Sequence, residues 1–115
     1  MPLRDNRTRL EHMLDAANKI IEFTRDESRD TFAGNEVLSL ATLRLLEVLG
    51  EASKGISVDF KKKNPELRWK AIAGTRDRLA HGYFDVDLDI VWTIVADDIP
   101  RLASDLEKVV ESEIT

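Results

Sequence analysis

An all-α fold, an antiparallel four-helix bundle, is predicted by three features of this chain. Apolar residues recur at intervals of three and four over long stretches. Helix-starting and helix-stopping residues stand between those stretches. No run alternates apolar and polar residues in the manner of a strand. Helices joined by short connections close into a bundle, and 115 residues suit a single domain spanning residues 1–115. Roughly 60–70% of the unfolded surface is buried at this size, so a partner subunit would add useful core.

The first helix is expected from about Arg4 to Thr24, because Leu10, Met13, Leu14, Ala17, Ile20 and Ile21 fall at helical spacing with charged residues between them. Ser28 to Gly34 reads as a short connection with one extra helical turn carrying Phe32. Asn35 can accept from the first free N–H groups of a second helix, which runs to Lys54 and stops at Gly55. That helix is apolar on more than one face (Val37, Leu38, Leu40, Ala41, Leu43, Leu45, Leu46, Val48, Leu49). A bundle helix needs one apolar stripe, so the excess points to a central position or a subunit interface.

Ser57 to Lys63 reads as a short turn. Pro65 is expected to open the third helix at its first position, where the missing N–H costs nothing. Trp69, Ile72, Ala73 and Leu79 lie along this helix, and Gly82 stops it. A loop over Phe84–Asp87 follows, with Asp87 capping the fourth helix. Leu88, Val91, Trp92, Val95, Ile99, Leu102, Leu106 and Val109 keep one stripe through that last helix. Pro100 sits inside it, so a kink is expected near Asp97.

Charge narrows the function. The formal net charge is −5. Residues Lys61 to Tyr83, however, hold seven basic and two acidic side chains, a sum of +5, which leaves −10 for the rest. An acidic protein with one basic segment points to a polyanionic ligand at one patch rather than to a general nucleic-acid coat. The chain has no cysteine, which excludes a disulfide scaffold and a thiolate zinc site. Neither an apolar leader nor a run of roughly 20 apolar residues is seen, so a soluble, intracellular protein is expected, with no membrane partner.

Within the basic segment, Arg76-Asp77-Arg78-Leu79-Ala80-His81-Gly82-Tyr83 carries the chemistry. It combines a permanently charged guanidinium, an imidazole that exchanges protons near neutral pH, and a phenol. Asp77 and His81 are four residues apart and share one helix face, so the carboxylate can hold an imidazolium. Arg76 and His81 are five apart, about 140° around the axis. They meet only if Gly82 unwinds the helix end or two copies pair about a two-fold axis, as the apolar second helix allows. By itself His81 equally suits a helix C-terminus, where a positive charge favours the dipole. Arg76 and Asp77 equally suit surface ion pairs, and Tyr83 ordinary packing. His12 reads as a solvated residue. Two distant histidines and the scattered carboxylates show no metal-ligand spacing, so neither a metal nor another cofactor is expected.

The spacing Arg-x4-His-x-Tyr at Arg76, His81 and Tyr83, with Asp77 after the arginine, resembles the signature of the HEPN superfamily and its HepT-like branch. The resemblance covers nearly the whole chain: Gly50-Glu51-Ala52, Trp69 to Gly74, Val91 to Ile94, and Ile99 to Leu102 belong to it. The family most often has asparagine where this chain has Asp77. The resemblance implies a HEPN-like bundle, and the apolar second helix together with the angle between Arg76 and His81 leads to the expectation of a two-fold homodimer. The resemblance also implies a metal-independent endoribonuclease acting as the toxin of a toxin–antitoxin module in the cytoplasm. Arg76 and His81 would be catalytic and Asp77 supporting; from the basic segment itself, Lys70 and Arg78 are expected to help bind RNA. Tyr83 would be modified with AMP by a cognate MNT-type nucleotidyltransferase, the antitoxin. A different class of function stands beside this one: a catalytically silent helical adaptor that binds the nucleotidyltransferase and presents Tyr83 or a substrate to it.

Overall fold

The computed structural model describes residues 2–80 and 87–114, and the side chains of 6–75 and 87–112. Those residues form helices and short turns, with no strand among them. The order is α1 (Pro2–Thr24), α2 (Arg29–Ala33), α3 (Glu36–Lys54), α4 (Val58–Lys63), α5 (Trp69–Ala80), α6 (Leu88–Thr93), a π-helical turn (Ile94–Asp98) and α7 (Ile99–Ile114). The all-α class expected from the sequence is the observed one.

Local chemistry sets the element ends. Ser28 accepts from the Thr31 N–H while the Thr31 hydroxyl accepts from the Ser28 N–H, a reciprocal cap that starts α2. The Asn35 side chain accepts from the Leu38 N–H, and Gly55 ends α3, as anticipated. Residues after Ser57 form a six-residue helix rather than a turn, because the Ser57 hydroxyl accepts from the Phe60 N–H. Asn6 of α1 holds that serine in place: its Nδ2 donates to Ser57 Oγ and its Oδ1 accepts from the Ser57 N–H, both at 3.0 Å.

The start of α5 corrects the reading of Pro65. The helix begins at Trp69, and Pro65 lies in the preceding turn. The Asn64 carbonyl is the reason. It accepts from the Leu67 N–H at 3.3 Å and from Trp69 Nε1 at 2.9 Å. The turn so formed buries Leu67 in the core.

α1 packs against α3 and α7, and α3 also against α5, so α3 is central among the described elements. Leu10, Met13, Ala17 and Ile20 of α1 meet Leu46 and Leu49 of α3 and Ile99, Leu106 and Val109 of α7 in one core. Seated at its edge, Phe32 of α2 is fully buried, with its ring 5.4 Å from that of Trp92. The irregularity expected near Asp97 takes the form of the π-helical turn. There the Ile99 N–H donates to the Ile94 carbonyl five residues back, immediately before Pro100, which has no N–H to offer.

Candidate functional site

α5 carries the first half of the motif. Ile72 and Thr75 are buried, which fixes the face that α5 turns to the core, while Lys70 and Ala71 are exposed. Arg76, Asp77 and Arg78 belong to the same helix, and their side chains lie outside the described residues. So do His81 and Tyr83, with the pairing of Asp77 and His81, the stop at Gly82 and the loop over Phe84–Val86. On the helix lattice of α5, Lys70, Gly74 and position 77 fall within about 60° of one another, whereas position 76 follows the buried Ile72 by one turn.

The chain returns from the motif into α6, and that end is anchored. Asp87 caps α6 by accepting from the Asp89 N–H at 2.9 Å and the Ile90 N–H at 3.4 Å. Arg29 of α2 then donates through Nε to Asp89 Oδ1 at 2.6 Å. The hydrogen bond to Arg29, reinforced by the charge attraction, holds the Asp89 carboxyl below its ordinary range and raises the Arg29 guanidinium in turn. The Arg29–Asp89 pair and the Phe32–Trp92 contact together tie α2 to the element that follows the motif.

Two hollows flank α5. One, of about 100 Å³, lies between α3, α5 and the last helices. Leu46, Leu49, Ile72 and Leu102 line it, and Arg68, Arg101, Asp98 and Asp105 stand on its margin. The other is an open groove of about 570 Å³ between α4 and the start of α5. Its walls include Lys61, Lys62, Arg68, Lys70, Trp69 and Val58, with no carboxylate among them. Lys61 Nζ stands 5.8 Å over the Trp69 ring, which in turn meets Phe60 edge-on.

Of the residues expected to bind RNA, Lys70 is an exposed wall of this groove, and the side chain of Arg78 lies outside the described residues. In the sequence, Lys61, Lys62 and Arg68 stand out only as members of a basic segment. The signal that could single them out is an aromatic residue, Trp69, set between Arg68 and Lys70. The described residues contain no group of three or more His, Cys, Asp or Glu placed to hold a metal ion. None of their helices is long and apolar enough to cross a membrane.

Fold and sequence together define a small all-α chain whose basic segment carries Arg-x4-His-x-Tyr. Comparison with known proteins gives that class its family: the sequence pattern of the family described as Ribonuclease HepT-like matches residues 13–109. The chain belongs to the HepT-like ribonuclease family. It is 39% identical over 107 residues to "Putative RNase MJ1380" of Methanocaldococcus jannaschii, which covers 93% of this chain and 98% of that protein. It is 41% identical over 105 residues to "Probable ribonuclease HepT" of Thermococcus cleftensis, covering 91% and 96% of the two chains. A third relative, "Putative RNase TTE0752" of Caldanaerobacter subterraneus subsp. tengcongensis, is 35% identical over 111 residues, covering 96% and 99%. No solved structure matches the chain.

Proposed function

We propose that this chain is an endoribonuclease that cleaves RNA without a metal ion and serves as the toxin of a toxin–antitoxin module in the cytoplasm. One observation carries the reading: a match to the HepT-like family over residues 13–109 that encloses the full Arg76, His81, Tyr83 spacing. The relatives named as ribonucleases support the substrate class.

In this reading residues 1–115 are a single HEPN-like bundle in a two-fold homodimer, whose paired motifs line one cleft. Exposed apolar side chains on α3, Val37 at 79% and Leu40 at 59%, support a surface that a second copy would cover. Sedimentation should then report about twice the 13.1 kDa chain mass.

The nucleophile is the ribose 2′-OH of the RNA. His81 moves its proton or protonates the leaving 5′-oxygen, a contribution of typically 10²–10⁴-fold. Arg76 holds the phosphate and stabilises charge growing on its oxygens. Asp77 orients the imidazole. A 2′,3′-cyclic phosphate and a 5′-hydroxyl are the products, and DNA, lacking the 2′-OH, survives.

Tyr83 is the control point. A phenol in its ordinary neutral form does not compete with RNA as an anion. Transfer of AMP to it by an MNT-type nucleotidyltransferase would bring a bulky nucleotide and a negative phosphodiester to the site, blocking it by volume and charge. The test is cleavage of RNA in EDTA by the wild-type chain and by His81→Ala. Activity that needs a divalent ion, or survives His81→Ala with the helical content intact, would overturn the mechanism. AMP transfer to Tyr83 of a chain with no nuclease activity would favour the adaptor instead.

A further inference from the structure

We propose that the groove between α4 and the start of α5 is a track for single-stranded RNA leading to the motif, with Lys61, Lys62, Arg68 and Lys70 on its phosphates. This assignment rests on the ribonuclease reading and extends it to a site some distance from the reacting bond. Lys61, Lys62, Arg68 and Lys70 line one open groove. Among the described residues the ion pairs are Arg7–Glu11, Lys19–Asp15, Arg29–Asp30, Arg29–Asp89 and Arg44–Glu47, so none of the four groove cations has a carboxylate partner there. Elsewhere the chain is strongly acidic and repels a polyanion, which confines RNA to this face.

The aromatic content decides between RNA and an acidic protein. Half-buried Trp69 stands among the cations, and Val58, 66% exposed, forms part of the same wall. Cations interleaved with an aromatic ring suit a strand that offers phosphates and base faces in alternation. Geometry connects the groove to the motif. Lys70 precedes position 77 of the motif by seven residues on the same face of α5, a rise of about 10 Å, or about three stacked nucleotide steps at roughly 3.4 Å each.

Gly74 lies between them. A Cβ built there meets nothing within 4 Å, so no packing among the described residues requires a glycine in this helix interior, where glycine is unfavourable. The surface left open there admits close approach of a sugar–phosphate strand passing from Lys70 towards position 77.

The test is fluorescence anisotropy with a labelled 12-nucleotide 2′-O-methyl RNA, which cannot be cleaved, titrated over a range of salt. The variant Lys61→Gln/Lys62→Gln/Arg68→Gln/Lys70→Gln keeps the aliphatic stems, including that of Lys61 beside Trp69. Lys19→Gln/Lys108→Gln is the control. The groove variant should bind at least about tenfold more weakly in moderate salt. Its log–log salt slope should be shallower by about 0.7 for each phosphate that no longer meets a cation, roughly 3 for all four. The control should match wild type, and circular dichroism should show all three folded.

A wild-type slope in the groove variant would overturn the track, as would failure of the wild-type chain to bind this RNA. Equal affinity of wild type for a polyglutamate peptide would also overturn it and assign the groove to an acidic protein. A chain that binds RNA through these four cations but cleaves none upholds the track and removes the nuclease reading.

Discussion

Replacing Gly74 by alanine should raise the stability of the chain while weakening its hold on RNA. Gly74 is the sixth residue of the twelve-residue helix α5, so it carries the full interior penalty of about 0.8–1.0 kcal/mol relative to alanine. Among the described residues the added Cβ meets nothing within 4 Å, so they impose no steric cost to offset the gain. For a chain of this length that corresponds to a rise in Tm of about 3–5 °C. The same methyl group stands where the RNA strand crosses α5, and affinity for the uncleavable 12-nucleotide RNA should fall severalfold. Thermal melts followed by circular dichroism read the first effect and anisotropy the second. An unchanged or lower Tm would overturn this expectation and mean that the face is already covered, by a second copy for example. A raised Tm with unaltered RNA affinity would place the strand elsewhere.

Phe32→Ala should cost about 3–5 kcal/mol in a denaturant titration, because the side chain is fully buried against Trp92 and removing it loosens α2 from the core. Thr42→Val should leave stability unchanged or raise it by about 1 kcal/mol, since Thr42 Oγ1 is buried without a hydrogen-bond partner among the described residues; a clear drop in stability would reveal a partner for that hydroxyl. Arg29→Ala should destabilise at pH 7 and not in acid. Arg29 depresses the Asp89 pKa, so its contribution is present above the unfolded carboxylate value of about 3.9 and disappears as pH falls through the lower folded value. Melts at pH 7 and near pH 2, and at high salt, check the sign. Tyr83→Phe should keep nuclease activity yet resist silencing by a cognate nucleotidyltransferase and ATP, as read by intact mass and RNA cleavage. Full silencing of that variant by AMP transfer would mean that Tyr83 is not the switch.

The all-α class, most helix ends and the family are legible in the order of the residues alone. These are local properties: Ser28, Asn35 and Asp87 satisfy free N–H groups within a few residues, Gly55 ends α3, and apolar spacing repeats at the helical period. The motif is legible for the same reason, since Arg76, His81 and Tyr83 are close in the chain. Packing in three dimensions was needed to start α5 at Trp69 rather than Pro65, because the deciding partners are the Asn64 carbonyl and a core able to bury Leu67. The pairing of Arg29 with Asp89, 60 residues apart, likewise depends on α2 docking beside α6. In the same way Lys61 and Lys62 became walls of one groove with Arg68 and Lys70 only when the turn after α4 folded α5 back beside it. Charge composition counts cations but carries no distance between them, and that distance is what turns a basic segment into a surface able to hold a strand.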